Sequence, residues 1–457
     1  MATTFNFRPE RGQGPLYRQL ASYFRQEIRE GRLLPLEFLP SIRKLNRDLK
    51  LSRTTAEAAY EILIDEGYVQ NLPSRGYQVV DTGRIPAPKK VRPQWDRAEK
   101  EKKAPPVLYN FSNNYIDTST FDTVLWRRCL NKVLHSPGAL AGYGDPQGEP
   151  VLREVLARYS YSARGVVCTP EQILVGAGLQ ALLVILLSIL PVEPKRVGLE
   201  APGFPQAEQV FHLLGWETQT FDPGDPKADW PGLLMISPAN PYKGRALTER
   251  ERNNLIVATQ LERVYLLEDD YNGEFRYLHQ PTPALHSFGN REQIIYVGSF
   301  SRTLLPSLRI SYLVLPEKLL PAYRAVAARY NQTASTMEQL ALAQYIEDGH
   351  LTRHVKKLRT RYREKSRQLR QALQEVFGEL VLPMSYGSGL HLHIALRLPG
   401  TAAELAQQAL KQGVRIIPVQ GTPEGQPPEF LLSFAGIGED KIRDGVKALY
   451  RALVPEK

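Results

Sequence analysis

Leu16, Leu20, Phe24 and Ile28 recur at every fourth position, which places them on one stripe of a helix that Gly31 ends. After Leu39-Pro40-Ser41, the residues Ile42, Leu45 and Leu49 repeat the pattern over a shorter helix, and Pro40 suits its start because a missing N–H costs nothing there. Ser52 is a good N-cap for a third helix, which carries Ala56, Ala59, Tyr60 and Leu63 on one face up to Gly67. Two β-runs follow, Tyr68–Gln70 and Tyr77–Val80, joined by residues 71–76. From about residue 107 onward, strand-like and helix-like runs alternate, the signature of an α/β domain with a mainly parallel sheet. The longest nearly unbroken apolar run, Ala181 to Leu190, is about half of the roughly 20 residues a membrane span needs, and reads as a buried helix.

The 457 residues are 42% hydrophobic and 23% charged, ordinary globular composition and enough for two or three folded units. The net charge of +10 is unevenly placed. Residues 82–106 alone contribute +5 and contain five prolines, so they read as a solvated basic linker between a domain at 1–81 and one at 107–457. Such a linker is either a plain spacer or one that also touches DNA phosphates. The first residues lack the apolar core of a secretory signal, and Cys129 and Cys168 offer neither a disulfide framework nor a zinc-type spacing. A cytoplasmic protein is expected.

Three helices followed by a two-stranded ribbon form an α+β winged helix-turn-helix, in which the start of the third helix enters the major groove. Ser52, Arg53, Thr54 and Thr55 stand there: arginine can bond guanine bidentately, and threonine offers a hydroxyl and a methyl. Arg75 and Gly76 stand at the tip of the ribbon. The segment from Pro15 to Val69 closely resembles the winged-helix domain of GntR-type regulators, and the resemblance implies double-stranded DNA as partner, with Arg43 joining Arg53, Thr54, Thr55 and the wing tip as contacts.

Four stretches characterise the remainder: YGDPQGEPVLREVLARYSYSARGV from Tyr143, LEAPGFP from Leu199, LLEDDYNGEFRY from Leu266, and YVGSFSRTLLPSLRISYLVLP from Tyr296. Their order and spacing resemble fold-type I aminotransferases, with large and small subdomains, and most closely the aminotransferase-like domain of the MocR subfamily of GntR regulators. That resemblance implies pyridoxal phosphate as the ancestral cofactor and a homodimer as the assembly. It places Phe204 flat on the pyridine ring, Asp269 at the ring nitrogen, and Tyr271 and Asn240 at the phenolic oxygen. Ser299, Ser301 and Arg309 fall at the phosphate.

Three positions depart from the resemblance. Ser301-Arg302-Thr303 stands where relatives read S-K-T, and a guanidinium cannot supply the free amine of a Schiff base. Leu431 stands where aminotransferases grip the substrate carboxylate with arginine, and Gly178 where a hydroxyl usually caps the phosphate. No catalytic residue is therefore assigned, no covalent cofactor is expected, and pyridoxal phosphate is left only a non-covalent mode. Lys243 is the one nearby candidate for a displaced amine, and the reading of it as a solvated loop lysine is preferred. Two outcomes are open for Arg302: pairing with Asp269 or Tyr271 so as to close the slot, or sharing with Arg309 an open cationic pocket for an anionic small-molecule effector. His391 and His393 share a strand face and read as packed or solvated rather than metal ligands. Trp126 and residues 329–365 read as scaffold. The expected protein is a DNA-binding transcriptional regulator with a degenerate aminotransferase-like domain for dimerisation and sensing. The alternatives are an aminotransferase with an accessory DNA-binding domain and an architectural dimer without a ligand.

Overall fold

A computed structural model describes residues 7, 9, 14–81, 106–112, 115–200, 204–225, 230–238, 247–261, 263–271, 273–275, 283–385, 389–419 and 425–454. The chain divides into two compact units, Met1–Lys103 and Ala104–Lys457. The linker expected over residues 82–106 lies almost wholly outside the described residues.

In the first unit, α1 (Leu16–Arg29) buries Leu20, Ala21 and Phe24, with Leu16 and Ile28 packed at the margin of the same core. Helix α2 (Ile42–Leu49) is capped by Ser41, whose hydroxyl accepts from the Lys44 amide at 3.2 Å. Pro40 therefore sits one residue outside the helix rather than at its start. Its carbonyl accepts a 2.7 Å bond from the buried Tyr60 hydroxyl, which pins the chain ahead of α2. Helix α3 (Arg53–Asp65) buries Ala56, Ala59, Tyr60 and Leu63. Strands β1 (Val69–Leu72) and β2 (Gly76–Val79) pair antiparallel, with Leu72 opposite Gly76, so the turn is shorter than the six residues expected. A feature without a periodic signal joins them: Leu36 and Leu39 donate backbone bonds to Val79 and Tyr77 at 3.0 and 2.8 Å, laying a third extended segment along the ribbon.

The second unit opens with β3 (Tyr109–Asn110), α4 (Thr123–Leu134) and α5 (Pro150–Arg164). Its large subdomain then alternates β4 (Ile173–Gly176), α6 (Leu179–Ile189), β5 (Arg196–Leu199), α7 (Pro205–Leu213), β6 (Glu217–Thr220), β7 (Leu233–Ile236), α8 (Glu249–Gln260), β8 (Tyr265–Asp269), β9 (Ile294–Ser299) and β10 (Ser311–Val314). The seven strands lie in the order β4-β10-β9-β8-β7-β5-β6. All neighbours are parallel except β10, which runs against both β4 and β9. Continuous apolar runs such as LLMI in β7 suit strands covered on both faces. Helix α6 buries Leu182, Leu183, Ile185, Leu186, Leu187 and Ile189, as its apolar sequence requires. Among the described residues, no helix is long and apolar enough to cross a membrane.

Helices α9 (Leu320–Ala327), α10 (Thr336–Glu347) and the 28-residue α11 (His350–Phe377) lead to the small subdomain. There β11 (Val381–Ser385), β12 (His391–Leu396), β14 (Ile417–Pro418) and β15 (Glu429–Ser433) form an antiparallel sheet in the order β11-β12-β15-β14, while α12 (Ala402–Lys411) and α13 (Glu439–Leu453) complete its core. The short strand β13 (Val414–Arg415) pairs with β3. Open α/β sheets bind ligands beyond the carboxyl ends of their parallel strands. Here β4 ends at Gly176, β8 at Asp269 and β9 at Ser299, and antiparallel β10 begins at Ser311 on the same edge.

Two candidate sites, one in each unit

At the start of α3, the Ser52 hydroxyl accepts from the Thr55 amide at 3.1 Å and lies 3.0 and 2.7 Å from the hydroxyls of Thr54 and Thr55. Ser52 thus caps the helix, and Thr55, half-buried, is committed to the cap. Arg53 projects outward with its side chain 79% exposed, tethered among the described residues by a 2.8 Å bond from Nε to Glu57 one turn on. Exposed pairs of this kind are weak, so the guanidinium is available to a stronger acceptor. Arg43 on α2 and Arg75 at the ribbon tip are also exposed, and Gly76 takes φ +104°, a conformation glycine adopts without strain.

In the second unit, a cavity of about 440 Å³ opens at the carboxyl edge of the large sheet. Its wall brings together Phe204, Asp269, Tyr271, Ser299, Ser301, Arg302 and Arg309, with Gly178, Gln180, Gln206 and Ser311 beside them. Asn240 and Lys243 lie outside the described residues. Phe204 stands at the N-cap of α7, its ring centroid 6.5 Å from that of Tyr271. Ser311 Oγ lies 3.0 Å from Ser299 Oγ. Arg309 holds φ +53° and places its guanidinium against Gly178, the N-cap of α6. A Cβ on Gly178 would come within 2.7 Å of Arg309 Nη2, and Gly178 itself has φ +89°. Arg309, the hydroxyl-bearing Ser299 and Ser301 and the start of α6 thus line the same cavity, residue types and a helix end suited to an anion.

Arg302 is buried, with its guanidinium 4.8 Å above the Tyr271 ring and Nε donating to the Tyr271 hydroxyl. Of the two outcomes open for Arg302, pairing with Tyr271 occurs, but no bond to Asp269 is found among the described residues, and the slot is not closed. Both Arg302 and Arg309 line it. Asp269 is 6% exposed, and its carboxyl lacks a hydrogen-bond partner among the described residues. Burial, reinforced by the neighbouring Asp270 charge, pushes its carboxyl up to about 7. Asp270 is provided for: buried Arg164 donates to it through Nε and Nη2, and the Tyr296 hydroxyl adds a 2.9 Å bond.

Sequence reasoning assigned no role to Arg164 or Tyr296, and read His391 only as packed or solvated. The acidic run Glu268-Asp269-Asp270 was the available signal that a buried cation must lie nearby. His391 is buried with neither ring nitrogen bonded among the described residues; burial and the Arg302 charge depress its pKa to about 3, keeping it neutral. His393 bonds Glu429 at 2.7 Å, so the two histidines of one strand face have different surroundings. Leu431, fully buried in β15, is packed as a core residue.

Comparison with known proteins places both units. A family model for aminotransferases of class I and II matches residues 108–449, and one for bacterial regulatory proteins of the gntR family matches residues 16–79. The HTH-type transcriptional regulator YdeL of Bacillus subtilis is 36% identical over 456 residues, 96% of each chain. The probable rhizopine catabolism regulatory protein MocR of Rhizobium meliloti is 28% identical, over 96% of this chain and 94% of its own. Among solved structures, the kynurenine aminotransferase of Pyrococcus horikoshii matches with a TM-score of 0.66 over 79% of this chain and 93% of its own, at 21% identity, a likeness of fold alone.

Proposed function

Since the chain belongs to the MocR type of GntR regulators, HTH-type transcriptional regulators that carry an aminotransferase class I and II domain, we propose that its aminotransferase-like unit is a non-catalytic sensor and dimerisation unit. The architecture is a winged helix-turn-helix followed by a fold-type I aminotransferase domain. The observation that carries the reading is the Arg302 guanidinium, laid on Tyr271 at the place where the family resemblance puts the Schiff-base lysine.

Aminotransferase folds often bind pyridoxal phosphate. The residues suit one end of it: the cradle of Gly178, Arg309, Ser299 and Ser301 accepts a phosphate, and Asp269 is a carboxyl in want of a partner. They do not suit its covalent attachment, because residue 302 offers no amine, and no catalytic step is assigned. An anion held by Arg309 and Arg302 without a covalent bond is the ligand this pocket favours. The open cavity counts against a purely architectural dimer.

In the first unit, Arg53 is the main base reader in the major groove, with Thr54 beside it and Ser52 and Thr55 fixing the helix start. Arg43, Arg75 and Gly76 meet phosphates at the two edges. The second unit dimerises, so that two winged helices meet two half-sites.

Calorimetric titration with inorganic phosphate, and separately with pyridoxal phosphate, tests the pocket. Saturable binding is expected, weakened roughly 10- to 100-fold by Arg309→Ala through loss of a charge-assisted bond. Binding indifferent to that substitution would contradict the reading.

A further inference from the structure

Helix α11 buries one face, including Leu351, Val355, Leu358, Tyr362, Leu369 and Leu373, between the two subdomains' cores. Its opposite face is exposed and carries Arg353, Lys356, Lys357, Arg363 and Arg367. Spacings of three, four and seven residues put all five on one side of the helix, along about 21 Å at 1.5 Å per residue. The one carboxylate on that stretch of the face is Glu364, already bonded by Arg367 at 2.6 Å and by Gln368 at 2.9 Å. Arg353 is tied to the Asp348 carbonyl at 3.0 Å and to His350. Lys356, Lys357 and Arg363 have no ion pair and no side-chain hydrogen bond among the described residues. Past Arg367, the same face turns to Gln371, Gln374 and Glu375, so the charge is confined to one segment.

A face kept polar only for solvation usually mixes charge signs, as surface helices with spaced ion pairs do. Five cations to one carboxylate in a row, without aromatic side chains interleaved, suit a uniform polyanion held by its backbone rather than stacked bases. This chain is a DNA-binding regulator, so such a polyanion is present whenever it works. We propose that the α11 stripe is a second DNA-contacting surface, which holds duplex phosphates without reading sequence, in addition to the winged helix. The proposal rests on the DNA-binding role of the first unit. It gives the aminotransferase-like unit a direct share in affinity, through counterion release at each phosphate met.

The test uses the full-length protein and a mixed-sequence duplex of about 60 base pairs, with anisotropy followed between about 50 and 200 mM salt. The triple variant Lys356→Gln, Lys357→Gln, Arg363→Gln is expected to bind about 10-fold more weakly at the lower salt. Its slope of log affinity against log salt should shrink by about 2 to 3, near 0.9 for each phosphate left unneutralised. Glu364→Gln, which removes the opposing charge, is expected to tighten binding a few-fold, a gain that misfolding cannot imitate. Wild-type slope and affinity in the triple variant would overturn the proposal and leave the stripe to an acidic protein surface. Failure of the wild-type protein to bind any duplex would instead overturn the DNA-binding role itself.

Discussion

Whether Asp269 carries a charge sets the electrostatics of the pocket at residue scale. Its folded pKa of about 7 lies above the ordinary aspartate value near 3.9. Below about pH 4 the carboxyl is neutral in both folded and unfolded chains, so it costs nothing. Between the two values the unfolded chain ionises while the folded one does not, and the folded state loses ground steadily until about pH 7, where the loss levels off. Asp269→Asn removes that penalty. Its stabilising effect is expected to be roughly 1–3 kcal/mol larger at pH 8 than at pH 5, read as the difference between thermal melts at the two pH values. An equal effect at both would mean that the carboxyl is not buried unpaired. In the same pH range the pocket passes from two cations facing a neutral acid to two cations facing an anion, which weakens its hold on anionic ligands as pH rises. Gly178 is a second case in which one residue has two readings. As a lost hydroxyl it looks like decay, but φ +89° is a conformation that favours glycine, and a Cβ there would also push the Arg309 guanidinium aside.

At the scale of elements, the recognition helix depends on its first turn. Ser52→Ala removes the oxygen that accepts from the Thr55 amide and the partner of two threonine hydroxyls. It is expected to destabilise the first unit by about 1 kcal/mol and to weaken DNA binding without changing base preference. Chemical denaturation and binding to base-substituted duplexes check the two halves, and a changed base preference would make Ser52 a reader rather than a cap. Elements with strong local signals were legible in the sequence: α1 and α3 from their four-residue spacing and α6 from its nearly unbroken apolar run, while the large sheet was legible only as an alternation of strand-like and helix-like runs. Pro40 lies one residue ahead of the helix because Ser41 is the residue that caps it, accepting from the Lys44 amide. The segment at Leu36–Leu39 pairs with a ribbon about 40 residues later and has too few residues to show a period. In the pocket, Asp269, Tyr271, Arg302 and Arg309 were found by motif resemblance, each lying in one of the short characteristic stretches. Arg164 reaches Asp270 across 106 residues, and His391 reaches the field of Arg302 from the small subdomain, so neither could be placed without the fold. The cationic face of α11 was visible as letters, but only burial of the opposite face shows which letters meet solvent.

At the scale of the whole molecule, a DNA-binding unit is joined to an aminotransferase fold, for which the proposed role is to sense and assemble rather than catalyse, with two chains in the proposed particle. The central claim is that no lysine in this chain holds pyridoxal phosphate. Native mass spectrometry after incubation with pyridoxal phosphate and reduction by borohydride addresses that claim and the assembly together. The expected spectrum is a dimer without a covalent increment, while Arg302→Lys treated alike gains one reduced cofactor per chain. A site-specific cofactor increment on the wild-type protein, mapped to Lys243 or any other single lysine, would contradict the account.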